Sequence, residues 1–146
     1  MYNLTVDKAH TFYVGEGQWL VHNTCGFQST QTGNNARNAR ILRGNIEDGD
    51  VLGRFGHPGD AAHHIVPSTD LLAQPARDIL DLAEIDINSQ ENGLWLNPNN
   101  HYITYPKMYI HAVNELVEGA YASGGSQAVE EILQEIARDI LSGMAP

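Results

Sequence analysis

The chain has 146 residues, of which 42% are hydrophobic and 18% are charged. This length suits one ordinary domain, and the composition supports a hydrophobic core rather than a coiled coil or a disordered tail. No apolar run approaches the roughly 20 residues of a membrane-spanning helix, and no basic-then-apolar signal peptide is expected. The single cysteine, Cys25, excludes an internal disulfide framework and a cysteine-rich zinc site.

The charge is strongly acidic and unevenly distributed. Eight Lys and Arg residues oppose 18 Asp and Glu residues, which gives a formal net charge of −10. This balance argues against broad, non-specific phosphate binding, which depends on many Lys and Arg contacts. It is compatible with a local site in which a bound cation and a few arginines set the potential. Residues 26–46 contain Arg37, Arg40 and Arg43 and no acid.

Short runs rich in β-forming residues occupy the first 22 positions, and turn residues separate them. We therefore predict a short N-terminal β segment with strands at Leu4–Val6, Thr11–Val14 and Trp19–Val21.

The segment that follows is typical of a linker. Residues 26–40 are rich in Gln, Asn, Ser, Thr and Gly. A short helix over about 35–43 is compatible with the spacing of the three arginines, and we expect Gly44 to end it.

Strands and helices alternate over the rest of the chain. Pro75 and Pro106 each suit the first turn of a helix, and the sequence Gly124-Gly125-Ser126 predicts a break. The predicted strands cover 61–66 and 93–96, and the predicted helices cover about 75–84, Pro106 to the Gly124-Gly125 break, and 127–142. We expect His63–Val66 and Gly93–Leu96 to pair antiparallel, with the helix that starts near Pro106 packed across them.

The first candidate for chemistry is the string His22-Asn23-Thr24-Cys25. An Asn side-chain amide can attack its own carbonyl carbon and break the next peptide bond, while a preceding His protonates the leaving amine. The string YNLTVDKAHTFYVGEGQWLVHNTC (residues 2–25) resembles the C-terminal end of a Hint domain, the self-cleaving fold of inteins and hedgehog processing domains. The N-terminal half of that fold, with its nucleophile, has no counterpart here. The resemblance therefore implies that His22 and Asn23 belong to an inactive autoprocessing remnant, of the kind that precedes the last domain of bacterial polymorphic toxins.

The second candidate is Ala62-His63-His64 in a predicted strand. Adjacent strand residues project to opposite faces, so one imidazole can bind a metal while the other serves as a base. A hydrolytic nuclease needs both, because a cation stabilises charge on the phosphate and a neutral imidazole takes a proton from water. A histidine pair alone is more often structural, so the case for a catalytic pair depends on the neighbouring segments.

Four segments occur in a fixed order, GDAAHHIVP, ARDILDLAEIDIN, ENGLWLNP and MYIHAVNELV. Over about residues 58–118 this order resembles the AHH family of bacterial toxin nucleases, a branch of the HNH (ββα-metal) endonucleases. The resemblance implies an α+β fold with a ββα-metal core and additional helices. It also implies residue roles: His63 and His101 as ligands of one divalent metal ion, His64 as general base, and Asn92 as the residue that holds the base in orientation.

One position departs from the family pattern. His101 lies nine residues after Asn92, as the first helix-proximal metal histidine of colicin-like HNH nucleases does, but Tyr105 stands where those enzymes place a second one. A phenol, with a pKa of about 10, is a poorer metal ligand than imidazole. Three interpretations stay open: His63, His101 and waters hold the metal; His111 completes the site; or the site is weakened.

Arg77 is a candidate catalytic residue within the region of resemblance. Its guanidinium could bind the scissile phosphate bidentately. A salt bridge to Asp81, one helical turn further on, is an equally good interpretation.

These features predict a metal-dependent endonuclease that uses Mg²⁺, Mn²⁺, Ni²⁺ or Zn²⁺. The resemblance implies the C-terminal toxin of a larger secreted bacterial protein, which hydrolyses nucleic acid, with DNA favoured over RNA, in the target-cell cytoplasm. It also implies a cognate immunity protein in the producing cell. The implied domains are a Hint-like remnant over 1–25, a linker with the arginine-bearing helix over 26–55, and the nuclease over 56–146.

Two other function classes compete with this one. Tyr105 and the acidic charge favour a catalytically weakened or inactive metal-binding or interaction module of the same family. Peptide self-cleavage at Asn23 is disfavoured, because the other half of the Hint fold is missing.

Overall fold

Helices make up most of the described structure, and the strands form two separate antiparallel pairs. The structure is a computed structural model that describes residues 11–14, 19–22, 35–48, 59–97, 99, 104, 106–144 and 146. Its elements in chain order are β1 (Thr11–Val14), β2 (Trp19–His22), α1 (Asn35–Asp48), β3 (Ala61–His64), α2 (Gln74–Leu82), β4 (Gly93–Leu96) and α3 (Lys107–Leu141), with 3₁₀ turns at Leu71–Ala73 and Gln90–Asn92. The predicted α+β class is confirmed.

The N-terminal strand pair is as expected. β1 and β2 pair antiparallel, with Thr11 opposite His22 and Val14 opposite Trp19. The third predicted strand, Leu4–Val6, lies outside the described residues.

The second pair, β3 with β4, carries the histidines. It is antiparallel, with Ala61 opposite Leu96 and His64 opposite Gly93, so the predicted pairing is confirmed. The first strand, however, ends at His64 rather than at Val66. Asn92 explains the shift, because its side chain bonds both the N–H and the C=O of Val66 and takes the place of a strand partner.

This two-stranded sheet separates two apolar layers. Because strand side chains alternate, Leu94 and Leu96 face one way and Trp95 faces the other. Leu94 and Leu96 join the main core, and Trp95 packs with Leu42 and Ile46 of α1. The main core is formed largely by α2 and α3, through residues that include Leu80, Tyr109, Val113, Val117, Leu133, Ile136 and Ile140.

α1 is longer than the sequence predicts. It continues through Gly44, which was expected to end it, and reaches Asp48. A glycine inside a helix costs about 1 kcal/mol relative to alanine. Leu42 and Ile46 lie on either side of Gly44 and are both buried, and burying each side chain is worth about 1.5–3 kcal/mol. Packing against the sheet therefore outweighs the tendency of Gly44 to end the helix.

α1 packs closely against the sheet at Gly93. A Cβ added there would lie 2.6 Å from Leu42 Cδ1 and 2.7 Å from Ile46 Cδ1. Only a residue without a side chain lets the helix pack at this distance.

α2 follows the prediction closely. It covers Gln74–Leu82, with Pro75 in its first turn. The 3₁₀ turn before it is capped by Asp70, whose Oδ1 accepts the Leu72 N–H at 2.8 Å. This turn and helix cross from one strand of the sheet to the other.

α3 contains the predicted break. Gly125 has non-helical angles (φ 64°, ψ −149°) inside the span Lys107–Leu141. The helix ends in a Schellman motif, in which the Met144 N–H donates to Asp139 O and the Gly143 N–H donates to Ile140 O. Among the described helices, α3 included, none combines the length and apolarity needed to cross a bilayer.

Candidate functional site

A cleft of about 440 Å³ opens beside the C-terminal end of β3. Its walls come from the first turns of α1, the end of β3, the loop 67–70, Thr104, and one residue of α3, Ile110. His63 and His64 both border it. The cleft is therefore where the predicted chemical residues of β3 can meet a ligand.

His64 is held by one specific contact. Its Nε2 lies 2.9 Å from Oδ1 of Asn88, which sequence reasoning had not singled out. An amide oxygen only accepts hydrogen bonds, so the neutral imidazole carries its proton on Nε2 and keeps a lone pair on Nδ1. The contact thus selects the tautomer that a base at Nδ1 requires.

Burial sets the protonation state of His64. Desolvation lowers the pKa of His64 below its ordinary value, and the Asn88 contact and the Asp86 charge oppose this only in part. A half-buried imidazole with a lowered pKa is neutral near pH 7. It can therefore accept a proton from water.

Asn88 is fixed from two directions. Its N–H donates to Asp86 Oδ1 at 2.7 Å, and its C=O accepts from Asn45 Nδ2 of α1 at 2.7 Å. The spacing of Asp86 and Asn88 is typical of an Asx turn. This signal is visible in the sequence, but it does not show that the turn lies against His64.

Asn92 acts on the backbone around the site. It is fully buried, and its Nδ2 donates to Val66 O at 3.2 Å and to Ile87 O at 2.9 Å. Its Oδ1 accepts the Val66 N–H at 2.8 Å. Asn92 thus connects the chain just after His64 to the residue just before Asn88, and its side chain bonds these backbone segments rather than the imidazole.

Tyr109 ties the same region to α3. Its hydroxyl donates to Ile65 O at 2.8 Å. Burial raises the pKa of Tyr109, so the hydroxyl keeps its proton and remains a donor. The residue that follows His64 is therefore bonded to the main core.

Arg77 is buried and hydrogen-bonded inside the protein. It is 2% exposed, and its Nη1 donates to Pro67 O at 2.8 Å and to Asp70 O at 2.6 Å. Its Nη2 donates to Gln74 Oε1 at 2.7 Å. Both terminal nitrogens thus donate hydrogen bonds inside the protein, and the contact with the scissile phosphate stays a prediction. Arg77 holds the loop 67–70 that forms one wall of the cleft.

The predicted metal ligands are only partly within the described structure. His63 borders the cleft, whereas His101 and Tyr105 lie outside the described residues. Over the described part of the chain, no group of three or more His, Cys, Asp and Glu side chains could hold a metal ion. The described residues alone do not complete a metal site.

The predicted autoprocessing residues lie in the N-terminal segment. His22 ends β2, where the structure describes the backbone, and Asn23 lies outside the described residues. Their role stays a prediction.

A cleft with a neutral, oriented histidine in a two-stranded sheet backed by a helix is the arrangement expected for an HNH-like nuclease. A family model matches residues 47–140, and its description is a nuclease family of the HNH/ENDO VII superfamily with conserved AHH. The match covers more than half of the chain, and the sequence holds this tripeptide once, at Ala62-His63-His64. The chain therefore belongs to the AHH nuclease family.

This membership confirms the predicted family and fold, and it implies a nucleic-acid substrate. Nucleases of this superfamily typically use a divalent metal ion. The curated proteins and the solved structures gave no match to the chain.

Proposed function

We propose that the chain is a metal-dependent endonuclease that hydrolyses phosphodiester bonds of DNA, with His64 as its general base. The observation that carries this proposal is the contact between His64 Nε2 and Asn88 Oδ1 at the cleft. The contact defines the tautomer, burial keeps the imidazole neutral, and the cleft leaves room for a phosphate beside it.

The reaction begins with transfer of a proton from water to Nδ1 of His64. The water oxygen attacks phosphorus as the bond to the 3′ oxygen breaks, and the 3′ oxygen takes a proton from solvent. The products carry a 5′-phosphate and a 3′-hydroxyl. The Nε2–H donor bond to Asn88 stabilises the imidazolium that forms.

His63 is proposed as a metal ligand. A bound divalent ion stabilises charge on the phosphate and on the leaving oxygen. His63 offers one imidazole at the cleft, and the sequence predicts His101 as its companion. A site with two imidazoles and oxygen ligands suits Mg²⁺ or Mn²⁺, whereas a third imidazole would favour Zn²⁺ or Ni²⁺.

The biological role that we propose is that of a toxin. Its support is the Hint-like string over residues 2–25, which precedes the nuclease part of the sequence. In this role the nuclease is the C-terminal part of a secreted bacterial protein and acts in the cytoplasm of the target cell. The producing cell then needs an immunity protein that neutralises it.

Plasmid nicking tests the enzymatic proposal. The chain is incubated with supercoiled DNA and, separately, with Mg²⁺, Mn²⁺, Ni²⁺ or Zn²⁺. We expect nicking with at least one ion, and a rate about 10²–10⁴ times lower for His64→Ala, because general-base catalysis contributes about this much. Arg138→Gln, an exposed change in the last turn of α3, is the control that keeps the rate.

Three results would contradict parts of the proposal. A folded chain that nicks with none of the ions would favour the inactive binding module. Equal rates for the chain and for His64→Ala would remove His64 as the base. Faster cleavage of RNA than of DNA would overturn the preferred substrate.

A further inference from the structure

α1 borders the cleft, although its sequence resembles a linker. Asn35 and Ala39, one helical turn apart, line the cleft together with His63 and His64. The hydroxyl of Thr69 in the opposite wall donates to Asn35 Oδ1 at 2.5 Å. Leu42 and Ile46 fix the helix in place by packing against the sheet.

The outer surface of α1 is basic. Arg37, Arg40 and Arg43 are exposed, and residues 35–46 contain no Asp or Glu, although Glu47 and Asp48 end the helix. These three arginines are among only eight Lys and Arg residues in a chain of net charge −10. A polyanionic substrate is repelled by most of this protein and attracted to this helix.

The spacing of the arginines suits contact with a chain of phosphates. They follow one another at i, i+3 and i+6, so the row extends about 9 Å along the helix axis. Arg40 follows the cleft residue Ala39 directly, and Arg43 lies one turn beyond it. The guanidinium of Arg43 stands 5.3 Å from the centre of the Trp95 ring, which anchors that end of the row to the sheet.

We propose that this row, Arg37, Arg40 and Arg43, binds the phosphate backbone of the nucleic-acid substrate and leads it into the cleft. The inference rests on the proposed nuclease function and adds a substrate-binding surface to it. The row also precedes the family match, which begins at residue 47. Family membership therefore assigns it no role.

Binding of a labelled DNA duplex, followed by fluorescence anisotropy, tests the inference. Buffers with EDTA prevent cleavage by a metal-dependent enzyme, and a denaturing gel checks that the probe stays intact. The variants are Arg37→Gln/Arg40→Gln, Arg37→Lys/Arg40→Lys and, as a control with one positive charge removed elsewhere, Arg138→Gln. Arg43 is left unchanged because of its contact with Trp95.

We expect the glutamine pair to weaken binding on the order of tenfold and to lower the slope of log K against log salt by about 2, since each lost phosphate contact contributes about 0.9. The lysine pair keeps most of the affinity, because its charge is retained. Arg138→Gln leaves the affinity and the slope unchanged. Circular dichroism verifies that the exposed substitutions leave the fold intact.

The outcomes separate this inference from the proposed function. A chain that binds and nicks DNA, but whose affinity is the same with the glutamine pair, would overturn the inference alone. Equal losses per positive charge removed, for the glutamine pair and for Arg138→Gln, would show a general charge effect and would also overturn it. A folded chain that neither binds nor nicks DNA would overturn the proposed function as well.

Discussion

Asn88 is a residue whose role depends entirely on its position in the fold. It contacts His64 through its side chain, is held by Asn45 through its carbonyl, and is held by Asp86 through its N–H. We infer that it positions the base rather than touching the substrate. Its removal should therefore affect turnover and spare substrate binding.

We predict that Asn88→Ala lowers kcat about 10–100-fold and leaves KM nearly unchanged, because a hydrogen bond to a charged group is worth about 1.5–3 kcal/mol. Asn88→Asp keeps an oxygen acceptor for Nε2 and should restore most of kcat. Steady-state nicking kinetics give both constants, and thermal melting shows whether either variant is destabilised. A rise in KM with constant kcat would contradict a positioning role.

Arg77 illustrates the opposite case, a charged residue with a structural task. We predict that Arg77→Met destabilises the fold by about 2–4 kcal/mol, since the carbonyls of Pro67 and Asp70 lose their donor. Denaturant unfolding measures this change, and Arg138→Met, at an exposed helix end, should shift the midpoint little. DNA affinity at a temperature where the variant is folded should be retained. A stable variant that binds DNA poorly would support the phosphate contact expected from the sequence.

At this scale the sequence predicts His63 and His64 as the chemical residues, and both lie at the cleft, but the sequence does not show what surrounds them. The AHH tripeptide identifies His63 and His64 because their types and order are distinctive. The partner Asn88 lies 24 residues from His64 along the chain, so only the tertiary fold brings the two together. Arg77 had two equally good local interpretations, a phosphate contact and a salt bridge to Asp81. Its hydrogen bonds to the loop 67–70 and to Gln74 belong to neither, because they depend on burial, which sequence spacing does not show.

α1 shows how packing overrides a local signal at the scale of an element. Gly44 has a strong tendency to end a helix, but the buried residues on either side of it keep α1 helical to Asp48. The strands, the Pro75 helix and the Gly125 break were predictable because their apolar period and turn residues agree with the fold. The end of β3 was not predictable, because the hydrogen bonds from Asn92 to Val66 join residues that are far apart along the chain.

Two glycines of the same sheet-and-helix unit should respond in opposite ways to alanine. Gly93→Ala places a methyl group 2.6 Å from Leu42 Cδ1 and is expected to destabilise the fold by about 1–3 kcal/mol. A Cβ at Gly44 meets nothing within 4 Å, so Gly44→Ala should stabilise the fold by up to about 1 kcal/mol. Denaturant unfolding of both variants tests the packing of α1 on the sheet. The same sign for both would show that α1 does not pack as described.

The whole molecule raises the question of where the nuclease unit begins. The sequence suggested a start near residue 56, and the family match starts at residue 47. The structure adds α1, which covers Trp95, lines the cleft and bonds Asn88. We infer that the functional unit includes α1.

Two truncations test this extent. A chain that starts at residue 31 keeps α1 and should retain the melting temperature and nicking rate of the full chain. A chain that starts at residue 47 loses the cover of the sheet and the Asn45–Asn88 bond, and it should melt at a lower temperature and nick at least about tenfold more slowly. Equal melting temperatures and nicking rates for the two truncated chains would show that α1 is only a linker.

The sheet that separates the two apolar layers has a consequence for how such a protein can diversify. The cluster around Leu42, Ile46 and Trp95 shares no member with the main core of α2 and α3. Residues in separate clusters substitute almost independently, whereas neighbours in one cluster do not. Selection can therefore change the exposed face of α1, and with it the proposed substrate-binding surface, as long as Leu42 and Ile46 keep their packing on the sheet and Asn45 keeps its bond to Asn88.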